Sequence, residues 1–132
     1  MKRQPKWIDK RALLLLHDES LATFGGATGL RDGGLLDSAL GRAPNQWHYD
    51  KSADLADLAA AYGFGLAKNH AFVDGNKRAA FLAMGLFLAI NGKRLHADQV
   101  DAIHTILNLA AGTIDEATLA AWVREHIRPS GQ

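Results

Sequence analysis

Hydrophobic residues recur along this chain at helical spacing, and polar or glycine-rich breaks divide them into about six segments. From Ile8 to Thr23, the apolar positions Ile8, Ala12, Leu13, Leu15, Leu16 and Ala22 predict a first helix, with Asp9 placed to cap it. The stretch GGATGLRDGG then breaks any helix. Asp32 is positioned to cap a second helix through Leu35, Leu36, Ala39 and Leu40. It should end before Pro44, because the residue preceding a proline avoids helical backbone, leaving Trp47, His48 and Tyr49 in the connection. A third helix, rich in Ala and Leu, starts at Ser52 or Asp54 and delivers the chain to His70. Its Gly63 and Gly65 cost helix propensity, and they allow close approach to the helix that follows.

That following helix is the greasiest stretch. Every residue from Ala79 to Ile90 is apolar or Gly, which predicts a central helix covered on all sides. It is too short to span a bilayer. Asn91 and Gly92 supply residue types that close a helix in left-handed backbone. Asp98 and Asp101 give an acidic first turn to a helix reaching about Ala110. Thr113 and Glu116 have capping-box spacing for a last helix through Trp122 and Ile127, and the tail from Pro129 to Gln132 is expected to fray. Period-two character is confined to a short excursion near Lys93 to His96. The class is therefore all-α, with residues 1–132 expected to form a single domain without repeats.

Composition narrows the function classes. Nearly half the residues are apolar, which excludes a disordered chain, and the absence of cysteine removes disulfides and thiolate metal sites. A cytoplasmic location is the default for such a chain. The start, MKRQPKWIDK, has no apolar region of the kind a signal peptide needs. A net charge of +1 leaves no strong footprint for nucleic acid, so neither a direct nucleic-acid partner nor a membrane is expected.

The chemistry is concentrated just ahead of the apolar helix. His70, Asp74, Asn76, Lys77 and Arg78 lie within nine residues, where unpaired backbone N–H groups and the helix dipole favour an anion. Gly75 lets backbone approach a ligand closely, while Lys77 and Arg78 add charge-assisted donors. A phosphate is the natural guest. A di- or triphosphate brings Mg²⁺, for which Asp74 is the adjacent carboxylate, and His70 has the pKa range to accept a proton from an attacking hydroxyl. These are parts of a phosphoryl- or nucleotidyl-transfer site, although the GxxxxGK[ST] phosphate loop is absent.

Plainer readings compete at several positions. Taken alone, DGNKR is also a solvated turn and helix cap. His17, Asp18 and Glu19 are consecutive, share no helix face, and read better as an exposed helix end than as metal ligands. Asp101 and His104 share a face but lack further ligands, so an ordinary side-chain pair is the better reading. Trp47, His48 and Tyr49 fit loop packing at least as well as adenine stacking, and Lys93 and Arg94 fit a solvated turn.

The segment HAFVDGNKR, His70 to Arg78, closely resembles the signature HxFx[DN][AG]NKR of the Doc (death-on-curing) branch of the Fic superfamily. The resemblance extends upstream through GGATGLRDGGLLDSALGR and downstream through FLAMGLFLAING, so it covers roughly the whole chain. It implies an all-α, Fic/Doc-type bundle with the motif in a loop at the N-terminus of a buried central helix. By resemblance, His70 is the catalytic base and Asp74 the Mg²⁺ ligand. Gly75, Asn76, Lys77 and Arg78 lie on nucleotide phosphates with help from Lys68, and Phe72 anchors the loop.

The resemblance further implies a toxin of a type II toxin–antitoxin pair, restrained by an antitoxin whose helical segment covers the site. Its reaction would use ATP and Mg²⁺ to move the γ-phosphate to a threonine or serine hydroxyl of a translation factor, elongation factor Tu. Typical Fic AMP-transferases carry Gly where this chain has Lys77, and a second Arg where it has Phe81; Lys is the Doc pattern. Gly75 is shared with the AMP-transferases, which keeps AMP transfer as an alternative. A non-catalytic partner-binding regulator is the alternative of another class.

Overall fold

The structure is a computed structural model in which residues 3–131 are described. Six helices appear among them: α1 (Lys10–Phe24), α2 (Gly33–Tyr49), α3 (Leu55–Asn69), α4 (Asn76–Ile90), α5 (Gln99–Ala111) and α6 (Glu116–His126). Strand β1 (Lys93–Leu95) pairs antiparallel with β2 (Ile127–Pro129), Arg94 opposite Arg128. The chain is thus all-α with one small ribbon, and the excursion expected near Lys93 is a real strand. Pro129 lies in that ribbon and the Ser130 N–H bonds to the Gly92 carbonyl, so the tail is tied down through Ser130. Met1, Lys2 and Gln132, where the start of the chain and the last tail residue were considered, lie outside the described residues.

Aspartates start almost every helix. Asp9, Asp32, Asp54, Asp98 and Asp115 each accept an N–H of the first turn of α1, α2, α3, α5 and α6. Such a cap contributes about 1 kcal/mol. At α3 the cap is reciprocal, because Asp57 also accepts the Asp54 N–H at 3.0 Å. The α6 cap is Asp115 rather than Thr113, whose N–H and hydroxyl both donate to the Asn108 carbonyl and so close α5. Helix α4 differs: it begins at Gly75 with no capping side chain.

Helix α2 corrects a second expectation, since it runs through Pro44 and carries Trp47, His48 and Tyr49 on its last turns. Proline removes one i to i−4 hydrogen bond. The stripe Leu36, Ala39, Ala43 and Trp47 continues in helical register on both sides of it and is buried throughout. That packing outweighs the local cost.

Helix α3 packs against α2, α4 and α6 and is the most enclosed element, with ten of its fifteen residues buried. Gly63 explains the approach of α4: a Cβ there would lie 2.7 Å from the Met84 sulfur. Gly65 serves α2 instead, where a Cβ would meet Arg42 at 2.6 Å and the Ala39 backbone at 3.2 Å. Helix α4 is buried along Ala79, Ala80, Ala83, Met84, Phe87 and Leu88, whereas Phe81, Leu82, Gly85 and Leu86 are half-buried and Ala89 is exposed. The expected cover on every side is therefore corrected, because α3 takes the centre and its neighbours leave one side of α4 partly open.

The N-terminal segment closes the far end of α4. Trp7 stacks on Phe87, the buried Tyr62 hydroxyl accepts the Ile8 N–H, and Asn91 exchanges two bonds with the Lys6 backbone. Asn91 has a negative φ of −109°, and Gly92 takes the left-handed position. No helix among the described residues is long and apolar enough to cross a membrane.

Candidate active site

The motif loop runs from the last turn of α3 to the first turn of α4. His70 caps α3 in left-handed backbone with φ +51°, the one non-glycine residue with positive φ among those described. Such a conformation persists in a non-glycine residue only when its surroundings hold it. Arg31 supplies the hold, donating Nε to the His70 carbonyl at 2.7 Å and Nη2 to the Asn69 carbonyl at 3.2 Å. The His70 ring is exposed to solvent, where an incoming hydroxyl can reach it.

The glycine-rich segment between α1 and α2 lies alongside this loop. Ala71 O accepts the N–H groups of Arg31 and Asp32, Val73 N–H donates to Gly29 O, and Leu30 bridges Phe72 in antiparallel fashion. Phe72 is buried, with its ring centroid 4.0 Å from that of His17. The Asn76 side chain closes the turn, Oδ1 accepting from Phe72 N and Nδ2 donating to Phe72 O, both at 3.0 Å. Both ends of its amide are therefore engaged in bracing the loop.

Asp74 is exposed and held ionised. Its carboxylate accepts the Ala27 N–H at 3.1 Å and the Gly75 N–H at 2.8 Å, and these bonds pull its pKa below the ordinary carboxylate value. Gly75 has φ +74°, and a Cβ there would lie 2.9 Å from the His17 ring, so both backbone and packing call for glycine. With no side-chain cap, the first N–H groups of α4 stay available beside this carboxylate. The arrangement offers a metal one anionic oxygen and an anion a row of backbone donors. No cluster of three His, Asp or Glu exists among the described residues, so a cation would need oxygens from its ligand.

The remaining motif side chains diverge. Lys77 is exposed on the first turn. Arg78 donates Nη1 to the carbonyls of Ser20 and Gly25 and lies over the Phe24 ring, tying α4 to the end of α1. Lys68 places its ammonium over Phe64 and close to Gly112, towards α5, and no described bond links it to the loop.

Two residues that sequence reasoning passed over support the loop. Arg31 gave no signal beyond its place in GGATGLRDGG. His17 departs from the exposed helix end that its neighbours form: Asp18 and Glu19 are exposed, but His17 is 1% exposed and lies beneath the motif. Its Nε2 is 3.1 Å from the Asp74 carbonyl, so Nε2 carries the hydrogen, and burial lowers its pKa and keeps the ring neutral. Asp101, considered with His104, bonds instead to Trp122 Nε1 at 3.0 Å and faces His126 at 3.5 Å. Trp47 is core, while Tyr49 stands in solvent. A shallow depression lined by Gln46, Asp57, Glu116, Ala117 and Ala120 lies on the α2, α3 and α6 side, away from the motif. Asp57 and Glu116 are already paired there with Arg124 and Arg42.

This loop, an uncapped helix start beside an ionised aspartate and a histidine, coincides with a known family pattern. The model of the Fic/DOC family matches residues 7–88, which include the whole motif and the segments that brace it. The chain belongs to the Fic/DOC family. Relatives place it on the Doc side. It is 31% identical over 117 residues to "Protein kinase doc" of Escherichia phage P1, spanning 89% of this chain and 92% of that protein. It is 48% identical over 91 residues to "Toxin Doc" of Mycolicibacterium smegmatis, spanning 67% of this chain and 69% of that one. In this Doc-family chain the motif lies where α3, α4 and the glycine-rich segment meet.

Proposed function

We propose that this chain is a Doc-like toxin, a protein-modifying transferase that moves the γ-phosphate of ATP to a threonine or serine hydroxyl of a translation factor. Elongation factor Tu is the expected target, and an antitoxin with a helical segment covering the site is the expected partner. The observation that carries the reading is the start of α4: an uncapped N-terminus next to an exposed, ionised Asp74. Both face solvent, with His70 on the same loop. The phage relative named a protein kinase supports phosphoryl transfer as the reaction.

ATP with Mg²⁺, when bound, supplies the transferable phosphoryl group and neutralises its charge. Asp74 would hold the metal, and the backbone N–H groups from Asn76 onward would orient the phosphates. Arg78 has five donors and spends Nη1 on Ser20 and Gly25, leaving others for an anion. His70 takes the proton of the acceptor hydroxyl as its oxygen bonds to phosphorus. The bond to the leaving phosphate oxygen breaks, and its electron pair departs with ADP. Lys77, exposed on the same turn, occupies space that a glycine would leave, which supports delivery of the γ- rather than the α-phosphate.

AMP transfer is the second reading, favoured by Gly75. Its weight is reduced because Gly75 has a local reason here, the His17 ring below it. The test is incubation with Mg²⁺, purified elongation factor Tu and ATP labelled at either the γ- or the α-phosphate. Label from γ alone, lost in His70→Ala, is the expected result. Label from α would make the chain an AMP transferase, and no label from either, with protein and target folded, would leave only the binding role.

A further inference from the structure

His17 is a buried polar side chain with one ring nitrogen bonded and the other unpaired. The ring is 1% exposed, and Nδ1 is buried with no hydrogen-bond partner among the described residues. A buried polar atom left unpaired costs free energy, so an apolar residue of similar volume would suit the core better. What the imidazole adds is the bond from Nε2 to the Asp74 carbonyl at 3.1 Å, beneath the candidate site. In a trans peptide the C=O and the next N–H point to opposite sides. A carbonyl drawn inward onto His17 therefore turns the Gly75 N–H outward, where the Asp74 carboxylate meets it at 2.8 Å. The ring also fills the space under Gly75 and packs on Phe72, so the loop has a floor on which to rest.

We infer that His17 is a positioning residue, which by bonding the Asp74 carbonyl sets the Asp74–Gly75 peptide so that the carboxylate and the following N–H groups face one ligand. The consequence for ligand binding rests on the phosphoryl-transfer reading; the orientation of the peptide does not. His17→Leu removes the bond and the unpaired nitrogen while keeping an apolar side chain, and His17→Gln restores an amide donor.

The decisive experiment combines thermal unfolding, titration with Mg²⁺ and ATP, and the ¹H–¹⁵N resonance of Gly75 in the ligand-free protein. His17→Leu is expected to melt within a few degrees of the parent, since the lost bond and the removed unpaired nitrogen offset each other, to shift the Gly75 resonance, and to bind the nucleotide at least about fivefold more weakly, the worth of one lost hydrogen bond. His17→Gln should restore the resonance and most of the affinity. A purely structural role predicts the reverse, lower stability with unchanged binding, and that outcome would overturn the inference, as would a Gly75 resonance indifferent to the leucine. If the parent protein binds no nucleotide, the functional reading fails and the Gly75 resonance alone decides on His17.

Discussion

Asn76→Ala separates a loop brace from a phosphate ligand. The Asn76 amide makes two bonds of 3.0 Å to the backbone of Phe72, in a part-buried position. Each is worth about 1 kcal/mol net, and their loss strands the Phe72 N–H and carbonyl where water reaches them poorly. Alanine regains about 0.5 kcal/mol of helix propensity at the start of α4. The net destabilisation is at least about 1.5 kcal/mol. At the usual unfolding entropy per residue, a chain of this length loses about 3.6 °C per kcal/mol, so Tm should fall by at least about 5 °C. Denaturant unfolding of the ligand-free protein measures this directly, with a lower midpoint at unchanged slope. Ligand-free stability within about 0.5 kcal/mol of the parent, with a loss appearing only when Mg²⁺ and ATP are present, would refute the reasoning and make the side chain a nucleotide ligand.

His70→Ala and Asp74→Asn should each lower labelled transfer by a hundredfold or more while leaving circular dichroism intact, because both side chains are exposed; undiminished transfer in both would remove them from the chemistry. Lys77→Gly should raise incorporation from α-labelled ATP relative to γ, read from the same pair of labels, with Tm lowered by about 3 °C or less through lost helix propensity. The Asp54 carboxyl is held down to about 2 by Arg124, well below its ordinary 3.8. A depressed carboxylate contributes stability above its unfolded pKa and loses it as pH falls through the folded one, so the contribution fades between about pH 4 and pH 2. The pair is partly exposed, which limits its worth to about 1 kcal/mol or less. Arg124→Gln should therefore cost that much at pH 7 and almost nothing at pH 2; an equal cost at both would assign Arg124 a packing role.

The features legible in the sequence were those governed by near neighbours. An aspartate just ahead of an apolar-periodic run is a local signal, and Asp9, Asp32 and Asp54 cap as their positions imply. The motif HAFVDGNKR is also local: its order places histidine, carboxylate, glycine and helix start within a few residues, and it is enough to indicate the family. The errors arose where distant packing overrode the local rule. Pro44 signals a helix end, but the stripe ending in the buried Trp47 is held by α3, and the helix continues. The run Ala79 to Ile90 signals complete burial, but which side of a helix is covered depends on how many neighbours the fold can bring to it, and here α3 takes the centre.

The division is sharpest within the site. Residue types and their order in the loop were set by the sequence, since they depend only on covalent spacing. Their orientation was decided by partners more than thirty residues away. Arg31 holds His70 in left-handed backbone, Ala27 keeps Asp74 ionised, and His17 takes the Asp74 carbonyl. None of these contacts has a periodicity or a motif to announce it. They exist because the fold brings the end of α1 and the glycine-rich segment against the junction of α3 and α4. The chain alone therefore identified the chemistry available, and only the tertiary structure determined which donors face solvent and which are committed to holding the loop.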